Sequence, residues 1–193
     1  MFEEIMNYFH RYKVMLFVSF VILVLWVSVL RLEGRFWFCS CGHFKLWIGE
    51  PCGSETSQHF LDPYSFTHIL HGLICCGITA LLLGKMSVEK RFLATLGMEA
   101  FWEMIENTNF FIYRYRTETL SLGYTGDTII NSFGDICCCC LGFIIARRLG
   151  LKWSIVAYAI IELALLFWIK DSLTLNILML IYPIEAIKRW QLG

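Results

Sequence analysis

The sequence predicts an all-α fold: an integral membrane bundle of about six transmembrane helices. Three observations predict it. Of 193 residues, 58% are hydrophobic and only 17% charged, a balance that soluble domains of this length rarely reach. Six apolar runs approach the ~20 residues that cross a bilayer as a helix. Three prolines, no low-complexity tract and no internal repeat leave no linker, so residues 1–193 read as a single transmembrane domain.

VMLFVSFVILVLWVSVL (14–30) is the first run. Arg11 and Lys13 precede it, as in a signal peptide, but RLEGRFW follows without a small-residue cleavage site. It is read as a retained span. SFTHILHGLICCGITALLLG (65–84) is the second, FLATLGMEAFWEMIENTNFFIY (92–113) the third and TIINSFGDICCCCLGFIIA (128–146) the fourth. SIVAYAIIELALLFWI (154–169) and SLTLNILMLIYPIEAI (172–187) are the fifth and sixth, an expected hairpin about Lys170-Asp171. Cys75, Cys76 and Cys137 to Cys140 fall within spans, where cysteine acts as a small apolar residue for close packing.

Positive charge orients the chain. With the N-terminus inside, ten basic residues lie on inner segments: Arg11, Lys13, Lys85, Lys90, Arg91, Arg147, Arg148, Lys152, Lys188 and Arg189. Six lie on outer segments: Arg31, Arg35, Lys45, Arg114, Arg116 and Lys170. Both termini are therefore expected in the cytoplasm, with loop 31–64 outside. A disulfide is permitted there, Cys41–Cys52 or Cys39–Cys52. Cys39, Cys41, His43 and Cys52 are poorly spaced for a structural zinc finger. Net charge is +0 with no basic patch, which excludes a nucleic-acid partner. The bilayer is the expected partner.

Charged residues inside a span cost about 2.5–3.5 kcal/mol each on insertion scales. Here they recur at helical spacing. Glu99, Glu103 and Glu106 share one face of the third run, and Asn107 extends it. His68 and His71 share a face of the second. Asp127, Asn131 and Asp135 share a face of the fourth. At ~1.5 Å rise per residue, all three stripes fall in the outer half of the membrane. That much acid needs protons or a cation. Two histidines and facing carboxylates suit zinc or iron, so a divalent metal is the candidate cofactor, with His68, His71 and Glu106 as candidate ligands. Arg114 and Arg116 could clamp an anionic headgroup in bidentate fashion. The LGYTGD turn, with Tyr124, could fold back over the pocket.

Four boxes carry a family resemblance: GRFWFCSCG (34–42), SQHFLDPYSFTHILHG (57–72), EAFWEMIEN followed by RYR, and GYTGDTIINSFGD (123–135). In order and spacing over residues 34–148 the chain resembles an uncharacterised family of bacterial inner-membrane proteins, and more distantly the VanZ-like proteins. Pro63 departs from the family pattern, which has Trp there. The resemblance implies a multi-pass protein of a bacterial inner membrane and implies no activity.

The first expectation is an enzyme acting on an envelope lipid or lipid-linked anionic substrate. Glu103, Asp127 and Asp135 are its acid/base candidates. His59, Asp62, Asn107, Arg114, Arg116, Tyr124 and Asn131 are its substrate-binding candidates. The alternatives are an ion- or solute-binding or transport protein, in which the carboxylates hold a cation or relay protons, and a structural membrane partner in which the stripe is packing glue.

Overall fold

A computed structural model describes residues 2–193, with side chains from residue 11 onward. The described residues form seven helices: α1 (Phe2–Leu32), α2 (Ser65–Leu82), α3 (Val88–Glu106), α4 (Asn109–Glu118), α5 (Ile129–Ile169), α6 (Leu173–Ile181) and α7 (Glu185–Leu192). One isolated parallel bridge, Trp47 to Leu61, pins the long loop between α1 and α2. Three helices are long and apolar enough to cross a membrane: α1 from Arg11, α2 and α5. On α1, Leu16, Phe17, Phe20 and Leu25 stay exposed, while Trp26 and Leu30 are buried against Leu96, Ala100, Ile129 and Ile136. An outward apolar face with a narrow inward seam is what hydrocarbon surroundings select.

The frame of the bundle is α2 against α5. A Cβ on Gly72 would stand 2.0 Å from the Cys139 carbonyl oxygen, and one on Gly142 would stand 2.1 Å from that of Ile69. The two backbones therefore touch at a glycine pair, the small-residue contact that membrane helices favour. Around it Leu70, Leu73, Cys76, Phe143, Ala146, Leu165, Ile169 and Leu173 form one apolar cluster.

Four of the six expected spans are corrected. The fourth and fifth runs join in α5, broken only at Gly150 (φ 72°, ψ 170°), a conformation only glycine adopts readily. A straight 41-residue helix would be about 60 Å long. Instead the chain reverses at Gly150: Trp168 meets Phe66 at the start of α2, the end where α5 begins. The third run breaks at Asn107-Thr108, because Asn107 turns its side chain into a tertiary contact and Thr108 caps α4 by accepting from Phe111 N. The sixth run stops at Ile181. Pro183 has no N–H to continue the helix and forces Tyr182 out of the α region (φ −137°, ψ 87°). Nine residues of α6 rise about 14 Å, half of a ~30 Å hydrocarbon core. After the proline, α7 returns. Lys188 Nζ donates to the Thr117 carbonyl and Gln191 Nε2 to that of Lys170 (3.0 Å). The C-terminus thus lies at the end that carries loop 31–64, not at the opposite one.

Loop 31–64 lies over the start of α5. Its carbonyls at Ser57, Phe36 and Trp37 accept from the amides of Thr128, Ile129 and Ile130. These are N–H groups at the start of α5, where no preceding helical turn can supply acceptors. Arg35 Nη1 reaches the Thr125 carbonyl (2.6 Å) and Gln58 Nε2 that of Gly126 (2.9 Å). At Gly134 the Phe60 carbonyl comes so close that a Cβ would stand 2.0 Å from it.

Candidate functional site

Four and three residues apart, Glu99, Glu103 and Glu106 project from one face of α3, 2%, 0% and 6% exposed. Across from them α2 presents two imidazoles. His68 Nδ1 lies 2.5 Å from Glu99 Oε1, and His71 Nδ1 lies 3.1 Å from Glu99 Oε2. An ionised carboxylate only accepts, so each neutral ring carries its proton on Nδ1 and keeps the Nε2 lone pair free. A carboxylate behind an imidazole fixes ring orientation and raises its basicity, as outer partners of metal-binding or general-base histidines do.

The other carboxylates are held by short donors. Ser65 Oγ donates to Asp135 Oδ1 (2.7 Å), and Ser132 Oγ donates to Glu103 Oε2. Asp127 is gripped from three directions: Asn107 Nδ2 (2.7 Å) and the Tyr124 hydroxyl (2.9 Å) donate to its Oδ2, and its own amide donates to Asn107 Oδ1 (2.7 Å). The Tyr115 hydroxyl donates to Glu106 Oε2 (3.4 Å). A cavity of about 50 Å³ is lined by Asp62, His68, His71, Glu106, Asp127 and Asp135, roofed by Tyr64, Tyr115 and Tyr124. That is room for an ion or a few waters.

Among the described residues, no Lys or Arg lines this cavity. Burial pushes the carboxyls of Asp62 and Asp127 above the usual range, against the pull of the Ser57 and Tyr64 amides on one and of Asn107 and Tyr124 on the other. Burial also raises Tyr115 and Tyr124, reinforced by Glu106 and Asp127. Three sets of side chains each bring one ligand atom per residue within 4.8 Å of the others: His68, His71 and Glu99; His68, Glu103 and Asp135; Glu103, Glu106 and Asp127. Glu99 takes both Nδ1–H groups in the first, so the second and third have the freer donors. His68 Nε2 stands 3.9 Å from Asp135 Oδ2, too far for a hydrogen bond. Glu103 Oε1 is buried and has no hydrogen-bond partner among the described residues. Nitrogen with carboxylate oxygens at this separation fits a zinc-like or iron-like ion.

The sequence match to known proteins covers residues 30–193, the span of a domain described as "Protein of unknown function (DUF2585)". The chain belongs to the DUF2585 family. A UPF0314 protein of Brucella anthropi is 40% identical over 176 residues, 91% of this chain and 89% of that one. One from Sinorhizobium fredii is 44% identical over 164 residues, 84% and 83% of the two chains. One from Rhizobium meliloti is 41% identical over 172 residues, 89% and 87%. No solved structure matches.

In this DUF2585 chain the structure brings together His68, His71, Glu106, Asp127, Asp135, Asp62 and Tyr124 around the cavity, with Glu103 and Asn107 directly behind. Asp62 lines it, but its oxygens already accept from Ser57 N (2.8 Å) and Tyr64 N (2.7 Å), a turn-forming role. Asn131 lies beyond the lining, buried, its amide capped by Thr128 Oγ1. Arg114 and Arg116 do not reach the cavity. Arg114 Nη2 donates to the Leu180 carbonyl, tying α4 to α6, and Arg116 is exposed. His59 is 2% exposed and away from the cavity. Its Nδ1 accepts from Lys45 N (3.2 Å), so Nε2 carries the proton toward Glu55 Oε2 (3.3 Å). Cys41, His43, Glu55 and His59 converge, but this pairing, with Lys45 Nζ on Glu55 (2.5 Å), uses their donors internally. The Cys41–Cys52 bridge is corrected: Cys41 is joined to Cys39 across a tight turn, and the Cys52 thiol lies against the Leu120 carbonyl.

Sequence reasoning left out Glu99 as the hub and Ser65, Ser132 and Tyr115 as donors. Glu99 was legible from its spacing to Glu103. The serines and the tyrosine carried no signal, because hydroxyls at helix positions pair locally far more often than across helices.

Proposed function

We propose that this protein is a membrane-embedded, metal-dependent enzyme of the bacterial inner membrane, its pocket open toward the periplasmic side. The observation that carries it is a cavity lined by His68, His71 and four buried carboxylates, with Glu99 and Glu103 buried behind them and, among the described residues, no Lys or Arg in its lining. Like charges packed so closely in a low dielectric demand neutralisation, and one divalent ion supplies it with fewer contacts than several protons. His68, Glu103 and Asp135 would hold the ion, which supplies Lewis-acid polarisation when bound. His71, oriented by Glu99, turns its Nε2 away from that carboxylate and serves as general base. Glu106 and Asp127 hold or release a proton at the cavity wall, with the Tyr115 and Tyr124 hydroxyls on them.

Five crossings fit the helices: α1, α2, α3 and the two halves of α5, with α6 and α7 folded back at the pocket end. The Cys39–Cys41 bridge supports an oxidising compartment for that end. The matched relatives are bacterial proteins, which is consistent with a bacterial membrane.

Elemental analysis of the purified full chain, with zinc titration of the stripped protein, tests the reading. One zinc or iron per chain is expected, falling at least about tenfold in affinity in Asp135→Asn and Glu103→Gln, as direct ligands require. Folded wild-type protein that carries no metal and takes up no added zinc would overturn it.

A further inference from the structure

A second, larger hollow adjoins the polar cavity. It measures about 490 Å³, within the range of small-molecule sites, and lies between α2, α3, α4 and α6. Ile74, Cys75, Met98, Phe111, Leu180 and Ile181 line it, and it is apolar everywhere except at one end. That end is His71 and Glu99, the candidate general base and its orienting carboxylate. His71, Trp102 and Ile177 are walls of both hollows, so the groove leads straight into the site. The groove exists because α6 stops after nine residues instead of crossing, which leaves the flank of α2 and α3 uncovered.

Its shape is that of a receptor for an amphiphile: hydrocarbon along the groove, polar head at His71. Charge decides which head. Among the described residues, neither hollow is lined by a Lys or Arg, and the polar one is lined by four carboxylates, Asp62, Glu106, Asp127 and Asp135. Arg114, the nearest candidate clamp by sequence, is tied to the Leu180 carbonyl. One divalent ion offsets only two of the six buried carboxylates around the site, so the formal charge that an anionic phosphate head would meet there is still negative. We infer that the groove between α2, α3 and α6 binds the acyl chain of the site's substrate, a lipid with an uncharged or amine-bearing head, and that it excludes anionic lipids. The inference rests on the proposed enzyme site and names its substrate class.

The test is electron paramagnetic resonance of the full chain in nanodiscs, with doxyl-labelled monoacylglycerol as probe and doxyl-labelled phosphatidylglycerol as comparison. Wild-type protein should immobilise the monoacylglycerol saturably and bind the phosphatidylglycerol at least about tenfold more weakly. Ile74→Trp places an indole in the groove from a half-exposed position and should abolish the saturable component while leaving metal content unchanged. Met98→Phe, a milder filling, should reduce it and serves if Ile74→Trp does not fold. Equal immobilisation in wild type and both variants overturns the groove assignment, and so does equal binding of the anionic probe. Because metal content is read in the same samples, loss of the groove with metal retained leaves the enzyme site standing. Probe binding without metal leaves the groove and removes the metal.

Discussion

At Asn107 the chain gives up a helical turn for a carboxylate. Asn107 caps α3 and exchanges two hydrogen bonds with Asp127, whose carboxyl burial already pushes upward. Asn107→Ala strands the buried Asp127 amide and leaves its Oδ2 with the Tyr124 hydroxyl as its one remaining donor among the described residues. A loss of about 1–3 kcal/mol is expected, read as a lower thermal midpoint in detergent. Asp171 gives a pH signature outside the helices. Burial raises its carboxyl from 3.8 to about 6, against the Ser172 amide and Asn176. A folded-state value above the unfolded one means that stability is complete below pH 3.8 and is lost as pH rises through 6. The full loss is on the order of 3 kcal/mol at about 1.4 kcal/mol per unit. Thermal midpoints between pH 4 and pH 7 should fall in wild type more than in Asp171→Asn. An equal slope in both would assign the dependence to another group.

The helix pair α2–α5 sets the distance between His68 and Asp135, and a single glycine contact sets the helix pair. Gly72→Ala would place a methyl 2.0 Å from the Cys139 carbonyl, a clash with backbone that only separation of the helices relieves. Overpacking of this kind costs about 1–3 kcal/mol. It also moves His68, one turn away on the same helix, off Asp135. Gly72→Ala is therefore expected to lose both thermal stability and zinc affinity. Gly77→Ala on the same helix meets nothing within 4 Å and gains helix propensity, so it should be neutral to about 1 kcal/mol stabilising. If both variants behave alike, close packing at Gly72 is not what positions the site. The elements were legible in proportion to how far local rules govern them. Apolar length gave α1 and α2, and spacing gave the carboxylate row on α3. The joining of two runs at Gly150 was hidden, since one left-handed residue leaves the hydropathy profile unchanged. Pro183 was visible in the sixth run, and its power to stop a helix outweighs the apolar residues around it.

Across the whole molecule, the return of α7 changes the charge argument. With Lys188 and Arg189 moved to the pocket end, eight basic residues lie at each end: Arg11, Lys13, Lys85, Lys90, Arg91, Arg147, Arg148 and Lys152 against Arg31, Arg35, Lys45, Arg114, Arg116, Lys170, Lys188 and Arg189. Charge asymmetry then no longer orients the chain, and the sequence could not reveal this, because the sidedness of a C-terminal segment depends on whether the run before it crosses. What remains is a relation between segments. The Lys188–Thr117 and Gln191–Lys170 contacts join the C-terminus to α4 and the α5–α6 turn, next to the loop that holds Cys39 and Cys41. A small tag after Gly193 and a tag in loop 31–64 at Ser54 should be reached by a membrane-impermeant label from the same side in sealed vesicles, and a tag in the α2–α3 turn at Lys85 from the other. Labelling of the C-terminal tag together with the Lys85 tag would restore six crossings. It would also require α6 and α7 to leave the pocket end, and the groove beside His71 would lose the wall that α6 supplies.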